Sequence, residues 1–300
     1  MSATSRKVLV SGVSGPIGAA LLPSLKERGY EVVRLVRGAK TGDDQIPWDP
    51  SQPLRPQSVS GFDAVIHLAG ESIVGRWSTV KKRRILDSRV QGTRHLADAL
   101  SGAAERPRVL ITASAIGYYG NRGEEVLRED SRPGRGFLPT VCREWEAAST
   151  RAQDAGIRSV QIRIGLVLSS TDGALQKMLL PFRMGLGGKI GSGRQWWSWI
   201  HVHDLVGAIQ HVLDSNLSGP VNLVAPTPVR NAEFTKTLAA VLSRPAIFPM
   251  PAFAARLAFG QMGEELLLAS QRVEPTKLAM TGYVFQYSEL KKALEAILNR

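Results

Sequence analysis

The chain has 300 residues, with 38 Lys+Arg against 26 Asp+Glu, which gives a formal net charge of +12. Its 43% of hydrophobic residues can build the core of one or two domains, which excludes a disordered chain. The single Cys excludes an internal disulfide and a cysteine-based zinc site, because both need more than one thiol. The positive charge fits three kinds of partner: nucleic acid, an acidic membrane surface or a phosphorylated ligand.

The sequence lacks the signals of a membrane or secreted protein. No stretch approaches the roughly 20 apolar residues that a membrane span needs, since the most apolar segment, residues 250–259, contains Pro251 and Arg256. Behind the basic N-terminal residues, the apolar run Val8–Val10 is too short for a signal-peptide core. We therefore expect a cytoplasmic protein in a reducing compartment, without a membrane partner.

Residues 7–36 predict a β-turn-α-β unit. Residues 7–11 are an apolar run typical of a buried parallel strand, apolar side chains then recur at helical spacing until Gly29, and residues 31–36 read as a second strand. Glycines in the turn before the helix allow a tight bend and the close approach of a pyrophosphate, which the helix N-terminus binds. An ordinary loop is the alternative, but this context favours nucleotide binding. The predicted contacts are Gly12, Ser14, Gly15, Pro16, Ile17 and Gly18.

The spacing G-x-x-G-x-x-G resembles the pattern of the short-chain dehydrogenase/reductase superfamily, especially its extended, epimerase-like branch. The resemblance implies an α/β fold with a doubly wound parallel sheet and a nicotinamide dinucleotide cofactor. Arg37 follows the second strand, where an acidic residue would bind the ribose hydroxyls of NAD and a guanidinium can bind the 2′-phosphate of NADP. We predict NADP(H); a solvated strand end is the alternative role of Arg37.

The same resemblance implies cofactor contacts further along the chain. Residues 63–70 read as a strand ending in small residues that match the cofactor-contacting turn of extended reductases. Asp49, which follows Trp48, stands where relatives place an acid near the adenine. Arg89 lies among apolar helix positions and matches an arginine that relatives place near the cofactor. An Arg-x-Gly strand, residues 163–168, returns over the cofactor. The residues implied are Asp49, Leu68, Ala69, Gly70, Arg89 and Arg163.

The catalytic residues of the superfamily are only partly present. Ser114 follows a predicted strand, and the segment it begins resembles the one in which extended reductases place a serine against the substrate oxygen. The resemblance also implies a tyrosine that transfers a proton and a lysine four positions later that lowers its pKa. Here Cys142 stands at the tyrosine position and Glu146 at the lysine position.

Cys142 and Glu146 cannot simply substitute for that pair. A carboxylate one helical turn from a thiol disfavours the thiolate, so a role as a small buried thiol is favoured for Cys142. Tyr118 and Tyr119 lie near Ser114 and can reach the cofactor, although neither has a lysine partner nearby. We predict Ser114 and Tyr118 as the catalytic residues.

Two charged or metal-like motifs have simpler interpretations. Residues 80–84 are the densest basic run, but helical spacing of the apolar residues around them favours a solvated helix face over a nucleic-acid patch. His201 and His203 share one face of a predicted strand, yet no third ligand has matching spacing. We predict no metal and expect Asp204 to cap the next helix.

Motifs along the whole chain resemble one atypical family, the sugar-nucleotide-epimerase-like proteins with a C-terminal domain of unknown function. They include the serine segment, the altered helix, a stretch with three tryptophans and a C-terminal segment. The tryptophans, which can stack a base or sugar or pack a domain seam, are Trp196, Trp197 and Trp199.

The family implies two parts of the chain. We expect an NADP-binding Rossmann-like domain over residues 1–170, to which segments near residues 195–225 return. A mostly substrate-side α/β lobe over residues 171–300 would contain the family-specific domain at about residues 247–297. The cleft between these parts would hold the substrate, outside the carboxyl ends of the strands.

The sequence thus predicts an epimerase-like, NADP(H)-binding oxidoreductase. Its substrate would be a small molecule, with a sugar nucleotide and a carbonyl compound as candidates. One alternative is a protein that binds or senses NADPH without turnover. A nucleic-acid-binding protein on a reductase fold is a second alternative, which we disfavour because only the net charge supports it.

Overall fold

A parallel sheet with helices on both faces forms the centre of the protein, as seen in a computed structural model that describes residues 6–39, 42–171 and 173–298. The strands are β1 (Lys7–Ser11), β2 (Glu31–Val36), β3 (Gln45–Pro47), β4 (Ala64–His67), β5 (Val109–Ala115), β6 (Val126–Leu127), β7 (Arg158–Ile164), β8 (Leu166–Leu168), β9 (Trp196–Trp197), β10 (Trp199–His201), β11 (Gly219–Leu223), β12 (Val229–Arg230) and β13 (Arg272–Val273).

The helices alternate with these strands in the N-terminal half and cluster in the C-terminal half. They are α1 (Pro16–Glu27), α2 (Thr79–Ser101), α3 (Phe137–Ala147), α4 (Thr150–Asp154), α5 (Ala174–Arg183), α6 (Val202–Asp214), α7 (Asn231–Leu242), α8 (Ala252–Phe259), α9 (Thr276–Met280) and α10 (Leu290–Leu298). Two 3₁₀ turns, Pro56–Val59 and Ile116–Tyr119, and a π-helical turn, Gly263–Leu267, complete the described elements.

The main sheet has seven strands, all parallel, in the order β11-β7-β5-β4-β1-β2-β3. The chain builds outward from β1 to β3 and then returns to place β4 on the other side of β1, so strand order reverses between β1 and β4. Ligands of such sheets bind outside the carboxyl ends of the strands at this reversal. The predicted doubly wound parallel sheet is confirmed.

Apolar side chains from alternate strand positions cover both faces of the sheet. Val10 of β1 shares a buried cluster with Leu21 of α1 and Ile209 of α6. Leu9, which points to the opposite face, shares another with Leu96 of α2. Because both faces are buried, the strands read as continuous apolar runs, and for this reason they were recognisable in the sequence.

The C-terminal lobe has its own core, in which α5, α7 and α10 pack on the short strands. Trp199 is fully buried there, and the Trp197 ring meets Phe234 edge to face at 5.2 Å. These two tryptophans therefore take the packing role. Trp196 is half-buried; its indole nitrogen donates to Glu124 at 2.9 Å.

The structure corrects two predictions about local elements. The expected single strand over residues 163–168 is broken at Gly165, where a Cβ would lie 2.7 Å from the Ser198 carbonyl oxygen, and the chain leaves the main sheet to form β8. Asp204 does not cap a helix: α6 begins at Val202, and His201 accepts the capping hydrogen bond. Within the described ranges, no helix is both long and apolar enough to cross a membrane.

His67 ends β4 with a fully buried imidazole. Its Nδ1 lies 2.6 Å from the Ser11 hydroxyl oxygen, and the Trp48 ring meets it edge to face at 5.6 Å. Nε2 has no partner among the described residues. Burial lowers the pKa of His67 from 6.5 to about 4, because the charged imidazolium would lose its hydration.

Folding thus keeps His67 neutral. The contribution of His67 to the free energy of unfolding is therefore fully present above pH 6.5 and decreases as the pH falls towards about 4. In this window the unfolded chain binds a proton on His67 that the folded chain excludes. We expect this group to lower the free energy of unfolding by up to about 3 kcal/mol across the window. Urea unfolding at several pH values measures the slope, which His67→Gln should flatten. His95→Gln on α2 is the control; a slope unchanged in His67→Gln would contradict the prediction.

Candidate functional site

The glycine turn after β1 lies at the strand reversal, and two of its glycines are needed for packing. Gly12 has a φ of +74°, and a Cβ there would lie 2.5 Å from the carbonyl carbon of Leu68 in the turn after β4. A Cβ on Gly18 would lie 2.5 Å from the Gly12 carbonyl oxygen. These contacts hold α1 and the turn after β4, which includes Ala69, close to the end of β1.

Gly15 differs from its two neighbours, because a Cβ there would meet nothing closer than 3.4 Å. The turn is therefore open on this side. Pro16 begins α1, and no side chain caps the helix N-terminus. An uncapped N-terminus presents unpaired N–H groups and the positive end of the helix dipole, so the segment from Ser14 through Ile17 can accept a phosphate that approaches Gly15.

Arg37 and Asp49 are both exposed, and they follow the carboxyl ends of β2 and β3. Arg37 directly follows β2, is exposed and makes no ion pair among the described residues. The Asp49 carboxylate accepts hydrogen bonds from the Ser51 backbone N–H at 2.9 Å and the Ser51 hydroxyl at 2.8 Å, which lower the pKa of Asp49. Arg37 is thus available to a ligand, whereas Asp49 already has local partners.

Arg89 on α2 contacts the turn after β4, at Gly70 and Glu71. Its guanidinium donates to the Glu71 carbonyl at 2.9 Å and lies over the Trp145 ring at 4.9 Å. A Cβ on Gly70 would lie 3.2 Å from the guanidinium carbon. Burial lowers the pKa of Arg89. The predicted cofactor arginine is therefore adjacent to the predicted cofactor turn, and Gly70 is what allows the approach.

A buried ion pair includes Glu146, which stands at the position where the resemblance implies a lysine. Arg163 on β7 binds the Glu146 carboxylate on α3 with two hydrogen bonds, Nε to Oε1 at 2.8 Å and Nη2 to Oε2 at 2.9 Å. The Ser114 hydroxyl at the end of β5 donates to the same Oε1 at 2.7 Å. Although burial opposes its charge, these bonds raise the pKa of Arg163, so the guanidinium stays charged.

The two tyrosines beside this pair have different environments. Tyr119 is fully buried; its hydroxyl donates to Asn222 at 2.7 Å and accepts from Arg163 at 3.0 Å. Burial raises the pKa of Tyr119 to about 12. Tyr118 is half-buried, and its ring lies against the Arg163 guanidinium at 3.5 Å. Among the described residues nothing hydrogen-bonds its hydroxyl, so Tyr118 is the tyrosine that can meet a ligand.

Cys142 is a buried thiol whose surroundings disfavour the thiolate. It is 3% exposed, and burial raises its pKa to about 12, with the Glu146 charge adding to the shift. The thiol therefore stays protonated and shielded, which agrees with the packing role expected from the sequence. The structure brings Ser114, Tyr118 and Glu146 together around Arg163 and leaves Cys142 beneath them.

Several residues of this network carried no signal in the sequence. Asn222 lies within the short strand β11, where it is fully buried and accepts a hydrogen bond from the Tyr119 hydroxyl. Glu129 supplies its carbonyl to Arg163 at 3.1 Å and its carboxylate to two backbone N–H groups. Glu265, on the π-helical turn, caps α3: its carboxylate accepts from the backbone N–H of Phe137 and of the next residue, at 3.0 and 2.7 Å.

The two imidazoles singled out in the sequence serve the fold. The His201 ring nitrogen accepts from the His203 backbone N–H at 3.1 Å, and the ring stacks on Tyr287 at 3.9 Å. The Asp204 carboxylate accepts from the backbone N–H groups of Gln286 and Tyr287, both at 2.8 Å. This cluster therefore fastens the C-terminal segment to α6.

Comparison with known proteins matches the chain over its whole length. The model of the NAD dependent epimerase/dehydratase family matches residues 8–224, and a domain of unknown function (DUF1731) matches residues 250–297. An epimerase family protein from Mycobacterium bovis is 41% identical over 290 residues, which cover 96% of each chain.

Solved structures show the same relationship. The crystal structure of human epimerase family protein SDR39U1 (isoform 2) with NADPH is 38% identical, with a TM-score of 0.90 over 98% of this chain and 99% of that one. A nucleoside-diphosphate sugar epimerase from Corynebacterium glutamicum is 36% identical, with a TM-score of 0.83 over 98% of this chain and 58% of that one. At 20% identity, the UDP-glucose 4-epimerase of Thermus thermophilus shares the fold alone.

The buried ion pair makes a prediction about stability. Glu146→Leu leaves the Arg163 charge buried without a counter-ion, and we expect the free energy of unfolding to fall by about 3–5 kcal/mol. Combining it with Arg163→Met removes both charges and should cost less than the sum of the single losses. Urea unfolding of the parent, the two single variants and the double variant measures the coupling energy between Glu146 and Arg163. The control Glu125→Leu breaks a surface ion pair with Arg122 and should lower the free energy of unfolding by about 1 kcal/mol or less. Additive losses at Glu146 and Arg163 would contradict the prediction.

Proposed function

This chain belongs to the NAD dependent epimerase/dehydratase family, and from that premise we propose that it is an NADP(H)-dependent oxidoreductase acting on a small molecule in the cytoplasm. The observation that carries the proposal is the glycine turn at the strand reversal, with an open Gly15 and, among the described residues, no side-chain cap on α1 and no ion pair for Arg37. The human relative crystallised with NADPH supports the choice of cofactor. The candidate substrates remain a sugar nucleotide and a carbonyl compound.

The residues present fit the dinucleotide group by group. The pyrophosphate would lie at Gly15 and the N-terminus of α1, where backbone N–H groups meet its charge. Arg37 would bind the 2′-phosphate, because a planar guanidinium can donate two hydrogen bonds to it. Arg89 would hold the Gly70 turn in place from below. The cofactor, when bound, supplies or accepts a hydride.

Ser114 and Tyr118 are the residues we assign to the substrate oxygen. Because the Ser114 hydroxyl proton points to Glu146, the oxygen of Ser114 can accept a hydrogen bond from a substrate hydroxyl. Tyr118 carries a hydroxyl that has no hydrogen-bond partner among the described residues, and its ring lies against the Arg163 guanidinium at 3.5 Å. In this assignment Ser114 orients the substrate and Tyr118 transfers the proton.

A second candidate function is NADPH binding without turnover. It is favoured by one observation: the positions of the family's tyrosine and lysine hold a buried thiol and a carboxylate already bound by Arg163. Under this alternative the cofactor site is intact and the ion pair only holds the fold. Both functions require NADPH binding, so turnover distinguishes them.

The cofactor assignment is tested by reversing one charge. Arg37→Asp places a carboxylate against the 2′-phosphate, so we expect the Kd for NADPH to rise at least about thirtyfold and that for NADH less than about threefold. Isothermal titration with both cofactors measures this difference. Arg55→Asp reverses a second exposed cation away from the turn and should change neither Kd. An equal loss of both cofactors in Arg37→Asp would overturn the 2′-phosphate assignment.

The catalytic assignment is tested on a panel of carbonyl compounds and sugar nucleotides, with NADPH oxidation as the readout. Tyr118→Phe removes the proposed proton donor and should lower kcat about a hundredfold or more, and Ser114→Ala about tenfold or more. Cys142→Ser is the control and should retain the rate, because the buried thiol touches no ligand. Unchanged rates in Tyr118→Phe and Ser114→Ala would refute the assignment, and NADPH binding without turnover of any compound would favour the second candidate function.

A further inference from the structure

Large apolar side chains are exposed on one face of the C-terminal lobe, around α5, α8 and the segment before α8. Six of them are between 55% and 73% exposed. We call this surface the apolar lobe face; its six residues are Leu180, Met184, Ile247, Phe248, Phe253 and Leu257. Soluble proteins rarely expose large apolar side chains in such groups unless something binds there.

Backbone contacts place the segment before α8, which contains Ile247 and Phe248, beside the segment after α5. The backbone N–H of Phe248 donates to the Gly187 carbonyl at 3.1 Å, and that of Met250 to the Lys189 carbonyl at 2.9 Å. The chain after α5 therefore runs beside the chain before α8. Phe253 and Leu257 are one helical turn apart on α8 and so share a side of that helix. The face thus extends from the end of α5 across to α8.

Most of the charges around the apolar lobe face are positive, although Glu233 on α7 and Glu264 after α8 flank it. Residues 174–191 and 236–260, which build the face, contain no Asp or Glu. They contain Lys177, Arg183, Lys189, Lys236, Arg244 and Arg256. Arg256 pairs with Glu264, while the other five make no ion pair among the described residues. This surface therefore carries a large part of the chain's excess positive charge.

A pocket of about 370 Å³ opens beside this face, with Lys189 and Lys236 in its walls. Thr235 adds a hydroxyl, and Ile247 and Pro249 add apolar surface. Lysine side chains at the walls of an open pocket can reach a phosphate with their ammonium groups, and the apolar wall suits the carbon chains next to it. A charged phosphate at one end and hydrocarbon at the other is the chemistry of an anionic phospholipid.

We propose that the apolar lobe face docks on an anionic phospholipid bilayer. The apolar side chains would enter the boundary between headgroups and acyl chains, and the surrounding cations would bind lipid phosphates. A second copy of this chain fits less well, because a symmetric contact would bring the same unpaired cations together. The proposal revises our expectation of no membrane partner and returns to the acidic membrane surface that the net charge suggested.

Vesicle co-sedimentation of the full chain tests this docking. We expect binding to phosphatidylcholine vesicles that contain phosphatidylglycerol, little binding to phosphatidylcholine alone, and loss of binding at high salt. Each cation at an anionic membrane surface contributes about fivefold in affinity, so Lys189→Glu with Lys236→Glu should weaken binding at least about twentyfold. Phe253→Ser with Leu257→Ser should weaken it at least about tenfold without changing Tm, because both side chains are already exposed.

The matched control is Arg83→Glu with Arg84→Glu, which reverses two exposed cations on α2 and leaves the face intact. This variant should bind the acidic vesicles as the parent does. The proposal fails if the parent does not bind them, if binding is equal without phosphatidylglycerol, or if the control loses as much as the lobe variants. It also fails if the parent is a dimer that Phe253→Ser with Leu257→Ser dissociates, since a second copy would then cover the face.

Discussion

The buried charge of Arg163, whose side chain is 3% exposed, is the constraint on which the rest of the candidate site depends. A buried cation is costly unless each of its N–H groups has a partner. Its partners come from α3, from the turn after β5 and from the segment that includes Glu129, so one charge fixes the relative positions of three elements. The Glu146 carboxylate that neutralises it also holds Ser114, so the same pair sets the rotamer of a proposed ligand contact.

This pair also explains how the helix tolerates the replaced residues. In the superfamily pattern a lysine at position 146 lowers the pKa of a tyrosine. Here the carboxylate at that position forms an ion pair with Arg163 of β7. The thiol at position 142 then needs only to fill space, and its raised pKa keeps it protonated. For this reason our proposal assigns proton transfer to Tyr118, whose hydroxyl has no hydrogen-bond partner among the described residues.

Much of the fold could be predicted from the sequence because it rests on local patterns. The strands of the main sheet are buried on both faces and read as apolar runs, and the glycine turn is recognisable from its place between a strand and a helix. Contacts between distant segments could not be predicted in this way. The partners of Asp204 lie at residues 286–287, and the break at Gly165 depends on the carbonyl of Ser198. Arg163 and Glu146 were both recognised individually, but only the packing of α3 against β7 pairs them.

The Glu265 cap on α3 also bears on how proteins of this kind can be divided. The two family models separate residues 8–224 from residues 250–297. The molecule has no such boundary, because Glu265 holds the first N–H groups of α3 and β13 pairs with β6 of the first region. A chain cut between the two regions would leave a helix end and a strand edge unsatisfied in one half. The two sequence modules therefore share a helix cap and a strand pairing, and genetic exchange of either one alone would have to replace both of these contacts.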